Sequence, residues 1–576
     1  MRNITLLILL LSALYCDSQK PVRTKDGIIY GMRLKKYRKT VTGYFGIPFA
    51  KPPIGKLRFK PPEPLEKNAF KKGFYANRMA RTCFYRPRYT GFIGFDYWHP
   101  RFLKYSEDCL QLNMWVPKRP NGAVLVYIFG RAYHSGSPSL DMFNGAVIAA
   151  KTRTIVVNIN YRLDILGFAF LGSGKEIPGN VGLLDQQMAL KWVYNNVKYF
   201  GGHKDMITVF GHGTGAASVT AHLFSEKSSK YIKRVALFSG TLKNTWAYQS
   251  NRIVSENVDK LAKSLGCGRS EKEILRCLQS VDVRRLVEAA NKITHPEQSP
   301  LIHSFTIVEN DDLFFRGNVT KKMYRRDMKH KFDVLIGKTS DEATYFMPQY
   351  LDVDAYGCNF DPRKPVNSDC NACKMNKTNF DLAVKLLSEE YYLDNQDTRN
   401  IDKVYSQYEK PEYRDKAARL ISDFTFDCDI VQYAKYISSF VKGRKYFFEY
   451  RTRSSSNPWP RWMGAMHAYE LEFFFGMPFR HVTRYNRLTY KFERDFSERL
   501  VHLLGDFAFT GKPEPYWKQF NKDRLIALVI DKKLNIIHHP QYVNVFTNTC
   551  KIHDNILKKY PAWGRKFNNL NLKRHT

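Results

Sequence analysis

Residues 209–218 read VFGHGTGAAS. The apolar run MITVF just before them has the character of a buried strand, and AASVTAHLF after them starts an alanine-rich helix. The glycine-rich GHGTG between is therefore a strand-turn-helix junction. In that setting a Gly-x-Ser-x-Gly turn lifts a serine hydroxyl out of the sheet as a nucleophile. Gly211 and Gly215 occupy the outer positions, but the middle residue is Gly213, which has no side chain. Promoting Thr214 by a slipped register would break the glycine spacing.

Short β-rich runs recur along the chain: AVLVYIF at 123–129, TIVVNI at 154–159, RVALFS at 234–239, FDVLIG at 332–337 and KYFFEY at 445–450. They are apolar on both faces, as strands inside a mostly parallel, helix-covered sheet must be. Between them, LLDQQMALKWVYNNV sets Leu184, Met188 and Trp192 at four-residue steps beside Ala189, Val193 and Val197. That spacing predicts an amphipathic crossover helix. The fold class is α/β: a large, mostly parallel central sheet flanked by helices in one domain.

The first eighteen residues combine Arg2, the apolar run 6–14 and small or polar residues near Ser18. This is the pattern of a secretory signal, too short to span a bilayer. The expected organisation is signal 1–18, domain 19–560 and a short basic tail 561–576. Neither a membrane span nor a lipid-anchor signal follows, so an exported, extracellular chain is expected.

An oxidising compartment would allow the nine cysteines beyond Cys16 to pair. Their spacings suggest Cys83 with Cys109, Cys267 with Cys277, and Cys428 with Cys550, although spacing alone does not fix connectivity. Cys358, Cys370 and Cys373 remain open, in a Cys-, Asp-, Asn- and Pro-rich segment, 352–376, that reads as a surface insertion. Asn318 and Asn376 open Asn-x-Thr sequons and so belong at the surface.

The blocks GYFGIPFAKPPIGKLRFKPPEP from Gly43, YSEDCLQLNMWVP from Tyr105, NYRLDILGF from Asn160, PGNVGLLDQQMALKWVYNNVKYFGG from Pro178, DEATYF from Asp341 and WPRWMGAMHAYELEFFFG from Trp459 cover most of the chain. Together they resemble the cholinesterase-like group of type-B carboxylesterases. The three cysteine pairs fall where that family places its disulfides.

The resemblance implies an α/β-hydrolase fold and a Ser-Glu-His triad in which Glu342 matches the acid and His467 the base, with Gly213 in the serine's place. The family's Gly-Gly-Gly oxyanion run corresponds to Gly130-Arg131-Ala132, with Thr214 following the elbow and His212 preceding it. Arg131 and Ala132 add Cβ atoms where the backbone is shaped for glycine. Trp98, Trp246, Tyr345 and Phe346 resemble the aromatic lining of the family's gorge, a cage able to hold a small cation or apolar ligand.

Lys plus Arg number 91 against 54 Asp plus Glu, a net charge of +37 that loses one charge of each sign with the signal. Such a field attracts polyanions. The runs at 35–39 and 321–331 are candidate contacts with an extracellular polyanion or acidic protein rather than nucleic acid, for which no motif is present. The histidines, including His538 and His539, lack metal-ligand spacing. No metal or cofactor is expected, and the C-terminal HDNILKKY is compatible with a homodimer helix.

The expected function is a secreted cholinesterase-like protein that has lost its catalytic serine and binds rather than hydrolyses. The alternative is weak ester hydrolysis through Glu342 and His467 acting on water.

Overall fold

The computed structural model describes residues 20–36, 39–100, 103–172, 176–295, 301–351, 354–391, 393–535 and 540–559. The signal, the basic tail, Tyr37, Arg38, His538 and His539 lie outside the described residues.

Thirteen strands form the central sheet. In chain order they are β1 (Lys20–Thr24), β2 (Gly27–Lys36), β3 (Lys39–Pro48), β4 (Phe70–Tyr75), β5 (Gln111–Pro117), β6 (Val124–Ile128), β7 (Ile155–Ile159), β8 (Ile207–His212), β9 (Arg234–Phe238), β10 (Asp333–Thr339), β11 (Lys445–Tyr450), β12 (Ile526–Ile530) and β13 (Tyr542–Asn544). The spatial order is β1-β2-β3-β5-β7-β6-β8-β9-β10-β11-β12-β13, with β4 beside β2.

From β7 to β12 every neighbouring pair is parallel. β1, β2, β3, β5 and β7 pair antiparallel in succession, and β13 closes the other edge antiparallel. Every residue of β6, β7, β8 and β9 is buried. This is the physical reason those strands read as mostly apolar runs.

The expected crossover helix is α1 (Val181–Asn196). Its Asp185 receives a buried bidentate contact from Arg162, with Nε at 2.8 Å and Nη2 at 2.7 Å. The elbow helix α2 (Thr214–Leu223) is buried along its whole length. One apolar cluster runs through the sheet and its covering helices. A second gathers Met347, Phe380, Leu387, Tyr405 and Leu420 around the insertion, where Cys358 pairs with Cys373.

The other three disulfides join Cys83 to Cys109, Cys267 to Cys277 and Cys428 to Cys550; Cys370 is a free, exposed thiol. The last of them ties the C-terminal helix α3 (Asn548–Lys559) to the body. Asn376 is exposed and Asn318 half-buried, each capping a helix through its side-chain oxygen. Among the described residues no helix is long and apolar enough to cross a membrane.

Candidate functional site

The parallel strands deliver their carboxyl ends to one rim of the sheet, and the site is assembled there. β8 ends at His212, Gly213 turns the chain, and α2 begins at Thr214. Gly213 adopts φ 55° and ψ −124°, a conformation L side chains rarely take, and its N–H donates to the Phe238 carbonyl at 2.8 Å. A Cβ built on it would stand 3.2 Å from His467 Nε2. The turn thus aims its missing side chain at a histidine.

That histidine is held by backbone and by charge. Asp341 and Met466 form an isolated bridge, with the Asp341 N–H donating to the Ala465 carbonyl at 3.2 Å. This brings the turn after β10 against the loop carrying His467. His467 Nδ1 lies 2.6 Å from Glu342 Oε2. Glu342 Oε1 accepts from Ser239 Oγ at 2.6 Å and from the Thr339 N–H at 2.7 Å.

Glu342 is wholly buried. Burial works against its charge, but His467, Ser239 and the Thr339 N–H outweigh it and hold the carboxyl down at about 2. Burial, and then the neighbouring His212, push His467 down. An ionised carboxylate can only accept, so Nδ1 carries the proton and Nε2 turns its lone pair toward Gly213.

The facing wall comes from β6. Gly130 packs so tightly on the elbow that a Cβ would lie 2.3 Å from the His212 carbonyl and 3.3 Å from the Thr214 nitrogen. Arg131, Ala132 and Tyr133 then follow with φ 78°, 56° and 59°. Three successive non-glycine residues in the left-handed region cost about 1–2 kcal/mol each. The surroundings hold the loop down: Tyr161 Oη donates to the Phe129 carbonyl at 2.8 Å, and the Asp164 N–H to the Tyr133 carbonyl at 2.8 Å. Thr214 Oγ1 is buried without a hydrogen-bond partner.

The Arg131 side chain turns inward. Its guanidinium carbon lies 5.4 Å from the centre of the Trp98 ring, and Nη1 donates to Tyr345 Oη at 2.9 Å. Tyr469 and Trp459 complete the enclosure, Tyr469 at 6.0 Å from Trp98 and Trp459 at 5.6 Å from Tyr345. The expected cation cage is filled by a cation of the chain itself. Burial and the Arg131 charge push nearby His99 down to about 4, which keeps a second positive charge off this rim.

The other two expected aromatics stand by the histidine. Phe346 is 5.0 Å from the His467 ring, while Trp246 donates from Nε1 to the Thr425 carbonyl at 2.7 Å and meets His467 through Phe426. The four aromatics therefore form two groups, Trp98 with Tyr345 and Trp246 with Phe346. They join where Tyr345 and Phe346 touch at 5.2 Å.

Sequence reasoning passed over Ser239, Phe426, Trp459 and a second buried pair, in which His212 Nε2 lies 3.1 Å from Glu470 Oε1 and the His212 ring is 4.4 Å from that of His467. Glu470 follows His467 by three residues, a spacing that could have flagged it. Among the described residues the only grouping of three potential metal-ligand atoms is Asp423 with Cys428 and Cys550. Those cysteines are joined in a disulfide and offer no thiolate.

Known proteins are similar in sequence over most of this chain. Acetylcholinesterase 4 of Caenorhabditis briggsae is 34% identical over 538 residues, covering 87% of this chain and 84% of its own. The cholinesterase of Mus musculus is 33% identical over 509 residues, covering 85% and 79% respectively. The model of the carboxylesterase family matches residues 18–550, a span that takes in the glycine elbow, the Glu342–His467 pair and the sheet that presents them, so this chain belongs to the carboxylesterase family.

Proposed function

We propose that this is a secreted cholinesterase-like protein that has lost ester hydrolysis and acts as a non-catalytic extracellular binding protein, with domain 19–560 following a cleaved signal at 1–18. One observation carries the reading: the residue aimed at His467 Nε2 is Gly213, so the base faces a position with no oxygen to activate. Loss of a triad nucleophile costs on the order of 10⁶ in kcat, leaving roughly 10³–10⁴ over water from the remaining site. The inward Arg131 side chain also takes space and aromatic surface that a cationic ester would need. The four disulfides suit an oxidising, extracellular setting.

The competing reading is weak hydrolysis, with His467 activating a water in place of the serine hydroxyl. The lone pair directed at the Gly213 position favours it. Steady-state hydrolysis of chromogenic and choline esters by the purified protein, with His467→Ala beside it, separates the two. The non-catalytic reading expects wild type and variant to be indistinguishable. Turnover abolished by His467→Ala would establish the water mechanism instead.

A further inference from the structure

The amino ends of the parallel strands form the rim opposite the elbow, and cations collect there. Arg119 lies in the turn before β6, and its carbonyl accepts from Arg153 Nε at 2.8 Å just ahead of β7. Lys204 precedes β8. Lys233 precedes β9, with its N–H on the Ile207 carbonyl at 2.9 Å. Lys331 precedes β10 and is bridged to Lys442 ahead of β11. Lys522 and Arg524 precede β12. All these residues are exposed.

We propose that this rim is a binding rail for a linear sulfated polysaccharide, running across the amino ends of β7-β6-β8-β9-β10-β11-β12. Six steps between these neighbouring strands, at about 4.8 Å each, give a rail of roughly 29 Å. The basic segment 321–331 feeds into its middle, where Lys329 donates to the Ser229 carbonyl at 2.9 Å. Burial and the charge of Lys233 both push the Lys329 ammonium down, as expected of like charges side by side.

Local acids do not neutralise the rail. Asp333 is engaged by Arg234 and Arg444, and Asp327 by Lys322. Asp205 and Asp523 are the exceptions, each lying beside a rail cation. Among the described residues Lys233, Lys331 and Lys442 have no carboxylate within ion-pair distance. A row of exposed cations at strand spacing, three of them without a described carboxylate partner, suits an extended polyanion, whose binding releases condensed counterions and so depends steeply on salt. Choosing a sulfated glycan over a nucleic acid rests on the reading of the chain as exported.

The test is affinity for immobilised heparin across a range of salt concentrations. It uses wild type, the rail variant Lys233→Glu/Lys331→Glu/Lys442→Glu, and a control of equal charge, Lys67→Glu/Lys71→Glu/Lys72→Glu, whose side chains are exposed just before and at the start of β4. Thermal unfolding of all three confirms that each is folded. The slope of log affinity against log salt should fall by roughly one for each lysine–sulfate pairing removed, about three in the rail variant, and much less in the control. Equal losses in both variants would reduce the attraction to overall charge and overturn the rail. Displacement from heparin by a single-stranded DNA oligomer at lower concentration than by soluble heparin would overturn the glycan assignment. Ester hydrolysis by the wild type would refute the proposed function and leave this result standing.

Discussion

On one side of the His467 ring, Glu342, Ser239 and the Thr339 N–H form a closed network of contacts at 2.6–2.7 Å around a buried carboxylate. On the other side, the elbow presents a glycine and the neighbouring loop sends an arginine into the space a substrate would use. The difference follows from what each half does for the fold. Removing one partner from a buried charged pair is expensive, so the acid–base half is held by stability whether or not it works. A nucleophile and an oxyanion loop act on the substrate, and no buried charge pair depends on them. The presence of Glu342 and His467 is therefore weak support for catalysis, and under the proposed function Gly213 counts against it.

The largest effect should come from rebuilding the altered half. Gly213→Ser places Oγ within reach of His467 Nε2, because the Cβ position is already 3.2 Å away. The φ of 55° at Gly213 imposes a strain of about 1–3 kcal/mol on any residue other than glycine. Ester hydrolysis by Gly213→Ser alone should stay weak. Adding Arg131→Gly and Ala132→Gly should raise it a further ~10²–10³-fold, the value of an oxyanion donor. Equal rates for the single and triple variants, measured with a chromogenic ester, would confine the defect to one residue and break the comparison.

The intact half should reveal itself in stability. Glu342→Ala strands His467, Ser239 and the Thr339 N–H in a buried site and should cost about 3–5 kcal/mol in denaturant unfolding. The pH dependence has a definite sign. The folded carboxyl sits at about 2 against an ordinary 4.5. The carboxylate's contribution is therefore complete above about 4.5 and is lost as pH falls from there toward 2. Glu342→Gln should flatten that part of the stability profile. An unchanged acid limb would mean the carboxylate is not held by its neighbours.

The parallel core was legible in the sequence because the centres of β6 to β11 are buried on both faces and carry mostly apolar, β-rich runs. The antiparallel strands before them were not. GIIYGMRLKK in β2 mixes exposed and basic residues with apolar ones, as an outer strand can. In the site, the Glu342–His467 contact was anticipated only through the resemblance of the blocks around Asp341 and Trp459 to the family. The spacing of Glu470 after His467 hints at a further acid, but its pairing with His212 joins distant segments, and the pairing of Cys358 with Cys373 over Cys370 depends on how the insertion packs. The direction of Arg131 was also hidden. The sequence shows a Cβ on a glycine-type backbone, but whether the side chain turns in or out is decided by Trp98 and Tyr345, which lie far away in the chain.

That direction sets the smallest of the expected effects. A guanidinium over a desolvated indole is stabilised by about 0.5–2 kcal/mol, and an entering cation must displace it to reach Trp98. Arg131→Ala should therefore bind tetramethylammonium about 2- to 30-fold more tightly than wild type, read by quenching of tryptophan fluorescence or by calorimetry. Arg131→Ala/Trp98→Ala should lose that gain, because the aromatic face itself is then gone. Equal affinity in wild type and Arg131→Ala would mean that the arginine leaves the cage in solution. The altered half would then still lack its nucleophile, but the gorge would be a cation site open to ligands.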